Sequence, residues 1–111
     1  MITIDIVLDK TGIFRSCSAS GHAGAGKTGS DIVCAAVTVL LRSFARVVSG
    51  RKGISIQSSA PKPGSLQLEM DYSAEGKDFL SAAGEYLITG LESVAEEYPG
   101  NLKLNINERR L

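Results

Sequence analysis

A single histidine and two cysteines, Cys17 and Cys34, are the only imidazole and thiol ligands in the 111 residues. One His and two separated Cys cannot supply the four ligands of a structural zinc site, so no metal or other cofactor is expected. Charge of one sign is lacking too, because twelve basic residues balance twelve acidic ones. No global field recruits nucleic acid or an acidic membrane. No run reads as long and apolar enough to span a bilayer. The N-terminus lacks the basic start and apolar block of a signal peptide. A cytoplasmic location is the expectation, with both thiols reduced. Repeats, linkers and low-complexity segments are absent, and the length fits one domain over residues 1–111.

What is present is alternation. Ile2, Ile4, Ile6 and Leu8 fall on one side of a first strand, with Thr3, Asp5 and Val7 on the other. Asp9-Lys10-Thr11-Gly12 reads as a turn closed by a bulge, with Gly12 taking the positive φ. Residues 13–20 form the second strand, carrying Ile13, Cys17 and Ala19 on one face. Residues 21–29 are too rich in glycine for helix or strand. Ser30 or Asp31 is the natural N-cap of a helix running to Ser49. Its apolar arc (Val33, Ala36, Val37, Val39, Leu40, Leu41, Phe44, Val48) is wide enough to predict burial on more than one side, or a dimer contact. Its polar residues form one line through Asp31, Thr38, Arg42, Arg46 and Ser49, and Cys34 lies on that line.

Residues 53–58 and 65–72 alternate as two more strands around a Pro61/Pro63 turn. A second helix over 74–97 turns Phe79, Ala83, Leu87, Leu91 and Val94 inward. Gly84 and Gly90 weaken it but permit a neighbour's close approach. A last strand covers 102–107. The order β-β-α-β-β-α-β, with every strand alternating, predicts an α+β two-layer sandwich. Its mixed or antiparallel sheet carries both helices on one face.

The stretch from Gly21 to Val37 invites two chemistries. Gly21 to Thr28 matches the phosphate-loop pattern Gly-x-x-x-x-Gly-Lys-Thr, with Gly26, Lys27 and Thr28 as nucleotide ligands. In that motif the helix starts at the Lys-Thr, whereas here the cap signal comes later, at Ser30-Asp31. Alternating strands also differ from the continuous apolar runs of a parallel sheet. In the other reading Cys34 lies in the first turn of the helix, where unpaired amides and the dipole favour a thiolate. His22 then serves as its base and later as acid. Loop or first-turn amides would hold the oxyanion. A third possibility is RNA binding through Arg42, Arg46, Arg51 and Lys52, against the plainer account of a solvated helix face. Cys17, mid-strand, reads as a buried thiol.

Gly21-His22-Ala23, then Gly29, then Asp31-Ile32-Val33-Cys34-Ala35-Ala36-Val37 resembles the signature of the ribosomal-processing cysteine protease family, Prp. The likeness extends from the Met1-Ile2-Thr3-Ile4 opening to Glu96-Glu97-Tyr98 before the terminal strand. The resemblance implies a small cytoplasmic bacterial homodimer with catalytic His22 and Cys34. It implies an endopeptidase that removes the N-terminal extension of large-subunit ribosomal protein number twenty-seven during ribosome assembly, cutting after an aromatic residue. The implied partners are that precursor and a second copy, with no membrane and no direct nucleic acid contact. Gly21, Ala23, Gly24 and Gly29 would form the substrate and oxyanion loop. Asp31 and Thr38 are possible supporting residues; the family commonly has Ser where Thr38 stands, so a hydroxyl is kept.

Overall fold

The computed structural model of the chain describes residues 1–21, 28–61 and 64–108, the side chains of 28–31 excepted. The elements are β1 (Ile2–Leu8), β2 (Phe14–Ser20), α1 (Thr28–Ser49), β3 (Ile54–Ser59), β4 (Ser65–Tyr72), α2 (Lys77–Glu97) and β5 (Leu102–Glu108). They form one five-stranded sheet, ordered β3-β4-β2-β1-β5. β1 and β5 pair in parallel, while the other pairs are antiparallel. The sheet is therefore mixed, and both helices pack on one of its faces.

Period-two alternation decides which face. Ile2, Ile4 and Ile6 are buried under the helices, while Asp5 between them is exposed. The hairpin to β2 is built by Asp9. Its Oδ1 accepts from the Thr11 amide at 2.9 Å, the Thr11 hydroxyl at 2.7 Å and the Ile13 amide at 3.0 Å. Its Oδ2 accepts from the Tyr72 hydroxyl on β4. Gly12 takes the left-handed φ of 83° that closes the turn. The expected bulge is there: Val7 faces Ser16 but Leu8 faces Phe14, leaving Arg15 without an opposite. The extra residue turns Phe14 inward as well as Ile13, Cys17 and Ala19, which simple alternation did not anticipate. The Phe14 ring sits 4.9 Å from that of Phe44 on α1. Above it Gly84 lets α2 approach, since a Cβ there would lie 3.2 Å from the Phe14 Cβ.

α1 buries Val33, Val37, Leu41, Phe44 and Val48 at helical spacing. The wider arc is not covered within the chain. Ile32, Val39 and Val47 stay 46%, 59% and 50% exposed. The stretch Ile32–Ser49 is in fact long and apolar enough to cross a membrane by length and composition, contrary to the reading of the sequence, but it forms the roof of this core. α1 also starts earlier than expected, at Thr28 and not at Ser30 or Asp31. α2 starts later, after Gly76, and buries Leu80 fully, while Phe79 is half-buried against the edge of the core. The outer side of the Phe79 ring carries the Arg51 guanidinium, 3.8 Å from its centroid.

Candidate active site

The sulfur chemistry of the chain is divided by burial. Cys17, in the middle of β2, is 2% exposed. Burial pushes its thiol up to about 12, with the Asp5 carboxylate adding to the effect. It is an inert core thiol, as expected. Cys34 is half-buried on α1 and lines a cleft of about 540 Å³. Because α1 begins at Thr28, Cys34 is in its second turn and not its first. The unpaired amides of the helix start belong to residues 28–31, one turn before it.

The cleft lies between α1 and the sheet. Cys34, Val37, Thr38 and Leu41 form its roof, and Ile2, Ala19, Leu66 and Leu68 its floor. Its existence follows from side-chain volume on β3. Inward positions there run Ile54, Ile56, then Ser58, which lies opposite Leu68; Ala60 follows just past the end of the strand. The large side chains stop where α1 presents Cys34, so the space between helix and edge strand is left open.

Gly21 closes the other wall. Its φ is 110°, and a Cβ there would collide with the Met1 carbonyl oxygen. Its amide donates to the Gly64 carbonyl at 3.1 Å, so it is committed to structure and is not a spare oxyanion donor. Gly29 lies in the first turn of α1, among the residues whose amides the helix leaves unpaired. Thr38 does not point its hydroxyl at the thiol. It donates to the Cys34 carbonyl oxygen at 2.7 Å, one turn back along the helix. His22, Ala23, Gly24, Gly26 and Lys27 lie outside the described residues, as does the side chain of Asp31. The chain on either side of 22–27, Gly21 and then α1 with Cys34, borders the cleft.

The nucleotide reading fails on topology. The helix start at Thr28 agrees with the phosphate-loop motif, against expectation. Yet the strand leading into the loop, β2, is antiparallel to both of its neighbours, β1 and β4. A phosphate-loop strand belongs to a parallel sheet covered on both faces. The basic cluster is likewise partly spent. Arg51 stacks on Phe79, and Lys52 lies 3.8 Å from Glu75.

Residues 1–103 match the family model described as cysteine protease Prp. This chain belongs to the Prp family of cysteine proteases. It is 26% identical over 116 residues to the ribosomal processing cysteine protease Prp of Staphylococcus aureus strain Mu50, covering 95% of this chain and 98% of that one. The crystal structure of SMU.848 from Streptococcus mutans superposes with a TM-score of 0.84 at 25% identity, over 98% of this chain and 96% of the other. The essential Prp of S. aureus, crystallised with a covalently linked product peptide, gives a TM-score of 0.80 at 25% identity, over 96% and 99%. The mixed sheet with two helices is thus the Prp fold. The cleft residues of β3 and β4 were not singled out in the sequence. The fall from Ile54 and Ile56 to Ser58 and Ala60 was the available signal, but it has no meaning until the register sets Ser58 beside Leu68.

Proposed function

We propose that this Prp-family chain is a cysteine endopeptidase in which Cys34 is the nucleophile and His22 its base. The observation that carries the reading is the division of the two thiols: Cys34 opens onto the cleft while Cys17 is sealed in the core. The Cys34 Sγ attacks the scissile carbonyl carbon as the thiol proton passes to His22. The tetrahedral intermediate collapses, the C–N bond breaks, and His22 returns the proton to the leaving amine. Water, deprotonated by His22, then cleaves the thioester, releasing a carboxylic acid and restoring the thiol. First-turn amides of α1, Gly29 among them, are the proposed oxyanion donors.

The substrate reading is the N-terminal extension of large-subunit ribosomal protein number twenty-seven, processed in the bacterial cytoplasm. The relatives named for ribosomal processing, one of them crystallised with a product peptide, support it. A mostly apolar cleft beside Cys34 fits an aromatic residue at the cut. The enzyme is proposed to act as a homodimer, with a second copy covering the exposed Ile32, Val39 and Val47 of α1. The test is incubation of the purified precursor with the enzyme and N-terminal sequencing of the product. One cut after an aromatic residue, absent with His22→Ala, is expected. An uncut precursor would overturn the substrate assignment.

A further inference from the structure

Gly21 is the last described residue before His22, and its backbone is held from two sides. The Met1 carbonyl lies where a Cβ would stand, and the Gly21 amide donates to the Gly64 carbonyl at 3.1 Å. That hydrogen bond continues the β2–β4 ladder by one step, since the last strand pair is Ser20 with Ser65. Both partners are left-handed, with φ of 110° at Gly21 and 80° at Gly64. A residue within an antiparallel ladder is instead extended, with φ near about −140°. At this glycine pair the chain leaves β2 toward His22 and enters β4 from the β3–β4 turn. Both glycines line the cleft that Cys34 helps to roof.

A trans peptide spans about 3.8 Å between Cα atoms, so whatever fixes Gly21 fixes the point from which residue 22 departs. Glycine by itself takes φ of either sign, so Gly21 needs an outside hold on its direction. The Gly64 carbonyl supplies that hold, and its own direction follows from the left-handed backbone at 64. Asparagine tolerates such a backbone, whereas a β-branched residue is forced out of it and would swing the carbonyl away. We infer that Gly64 is a positioning residue for the reaction at Cys34. Its carbonyl orients Gly21, and through Gly21 it sets where the base at 22 stands relative to the thiol. This rests on the His22/Cys34 reading of the chemistry.

The test compares Gly64→Val, Gly64→Asn and Gly12→Val with wild type, each first confirmed to be folded. Gly64→Ala takes the place of the valine variant if that protein does not fold. Valine and asparagine add side chains of similar size, so crowding of the cleft would harm both, while only asparagine accepts the left-handed backbone. Gly12, at φ 83°, gives matched strain in a turn that does not border the cleft. On a peptide spanning the ribosomal extension, Gly64→Val should lower kcat by about tenfold with KM within about twofold. Gly64→Asn should recover most of that loss, and Gly12→Val should leave kcat intact. The second readout is the rate of iodoacetamide addition to Cys34 at neutral pH, which the base raises by taking the thiol proton. His22→Ala and Gly64→Val should both slow it several-fold, and Gly64→Asn and Gly12→Val should not. Equal losses in the valine and asparagine variants, or wild-type alkylation of Gly64→Val, overturn the inference. Alkylation indifferent to His22→Ala removes the base, and the role of Gly64 with it. If the wild type cleaves no peptide, it is the endopeptidase reading that fails, and the alkylation rates alone decide the role of Gly64.

Discussion

The Thr38 hydroxyl donates to the carbonyl oxygen of Cys34, 2.7 Å away, and so braces the helix turn behind Cys34 without facing the thiol. Thr38→Ser keeps this bond and Thr38→Val removes it at nearly constant shape. Both variants should retain kcat/KM within about threefold of wild type, because a bond to a helix carbonyl is made equally in ground and transition states. A collapse of kcat in the valine variant, rescued by serine, would assign the hydroxyl to the reaction itself.

The two thiols should be chemically distinct. Cys17 is 2% exposed, with its thiol held up at about 12, whereas Cys34 is half-buried at the cleft. Iodoacetamide at neutral pH is expected to add one group to the folded protein, on Cys34, and a second only after unfolding. Peptide mapping by mass spectrometry reads this directly; modification of Cys17 in the folded protein would contradict it.

Asp9 ties the β1–β2 hairpin to β4, and its contribution depends on pH. Burial would raise its carboxyl, but hydrogen bonds from Tyr72, Thr11 and Ile13 outweigh burial and hold it at about 2 instead of 3.8. The folded value lies below the unfolded one, so the stabilisation is complete above 3.8 and is lost as pH falls through about 2. Asp9→Asn should cost about 1 kcal/mol at neutral pH, a figure kept small because the turn is partly solvated. Urea titrations of both proteins should show the gap closing in acid. A gap that persists undiminished at about pH 2 would show that the charge is not its source.

Two glycines with left-handed backbones should behave differently when given a methyl group. Gly12 has open space around its Cβ position, so Gly12→Ala should cost about 1 kcal/mol of backbone strain and leave cleavage intact. At Gly21 the same change meets the Met1 carbonyl and disturbs the hydrogen bond that the Gly21 amide donates to the Gly64 carbonyl, one residue before His22. Gly21→Ala should therefore lower kcat/KM by at least about tenfold in molecules that remain folded. Parallel thermal melts and peptide-cleavage rates separate the two effects; equal rates for both variants would show that Gly21 does not aim the loop.

Local pattern carried most of this fold. Alternation marks all five strands, and the helical spacing of Val33, Val37, Leu41, Phe44 and Val48 names the buried stripe of α1. What it missed depends on neighbours distant in sequence. Phe14 is buried because a bulge against Val7 and Leu8 reverses its face. α1 starts at Thr28, about one turn before the helix that a cap at Ser30 or Asp31 would begin, because a favourable cap is a weak preference against continuation of the helix. The pair Gly21-His22 and Cys34 stood out by motif, yet the cleft beside Cys34 is left open by the small Ser58 of β3 and Ala60 just after it, and only the pairing of β3 with β4 sets Ser58 there. Arg42 was visible as one member of a polar line; its place on the wall of that cleft was not.

The central claim is that Cys34, and not Cys17, carries the chemistry. The most direct measurement is cleavage of a peptide spanning the ribosomal protein extension by wild type, Cys17→Ala and Cys34→Ala, each first confirmed to be folded. Wild type and Cys17→Ala should both release the product, while Cys34→Ala should release none above the uncatalysed rate. Product formation by Cys34→Ala would contradict the account.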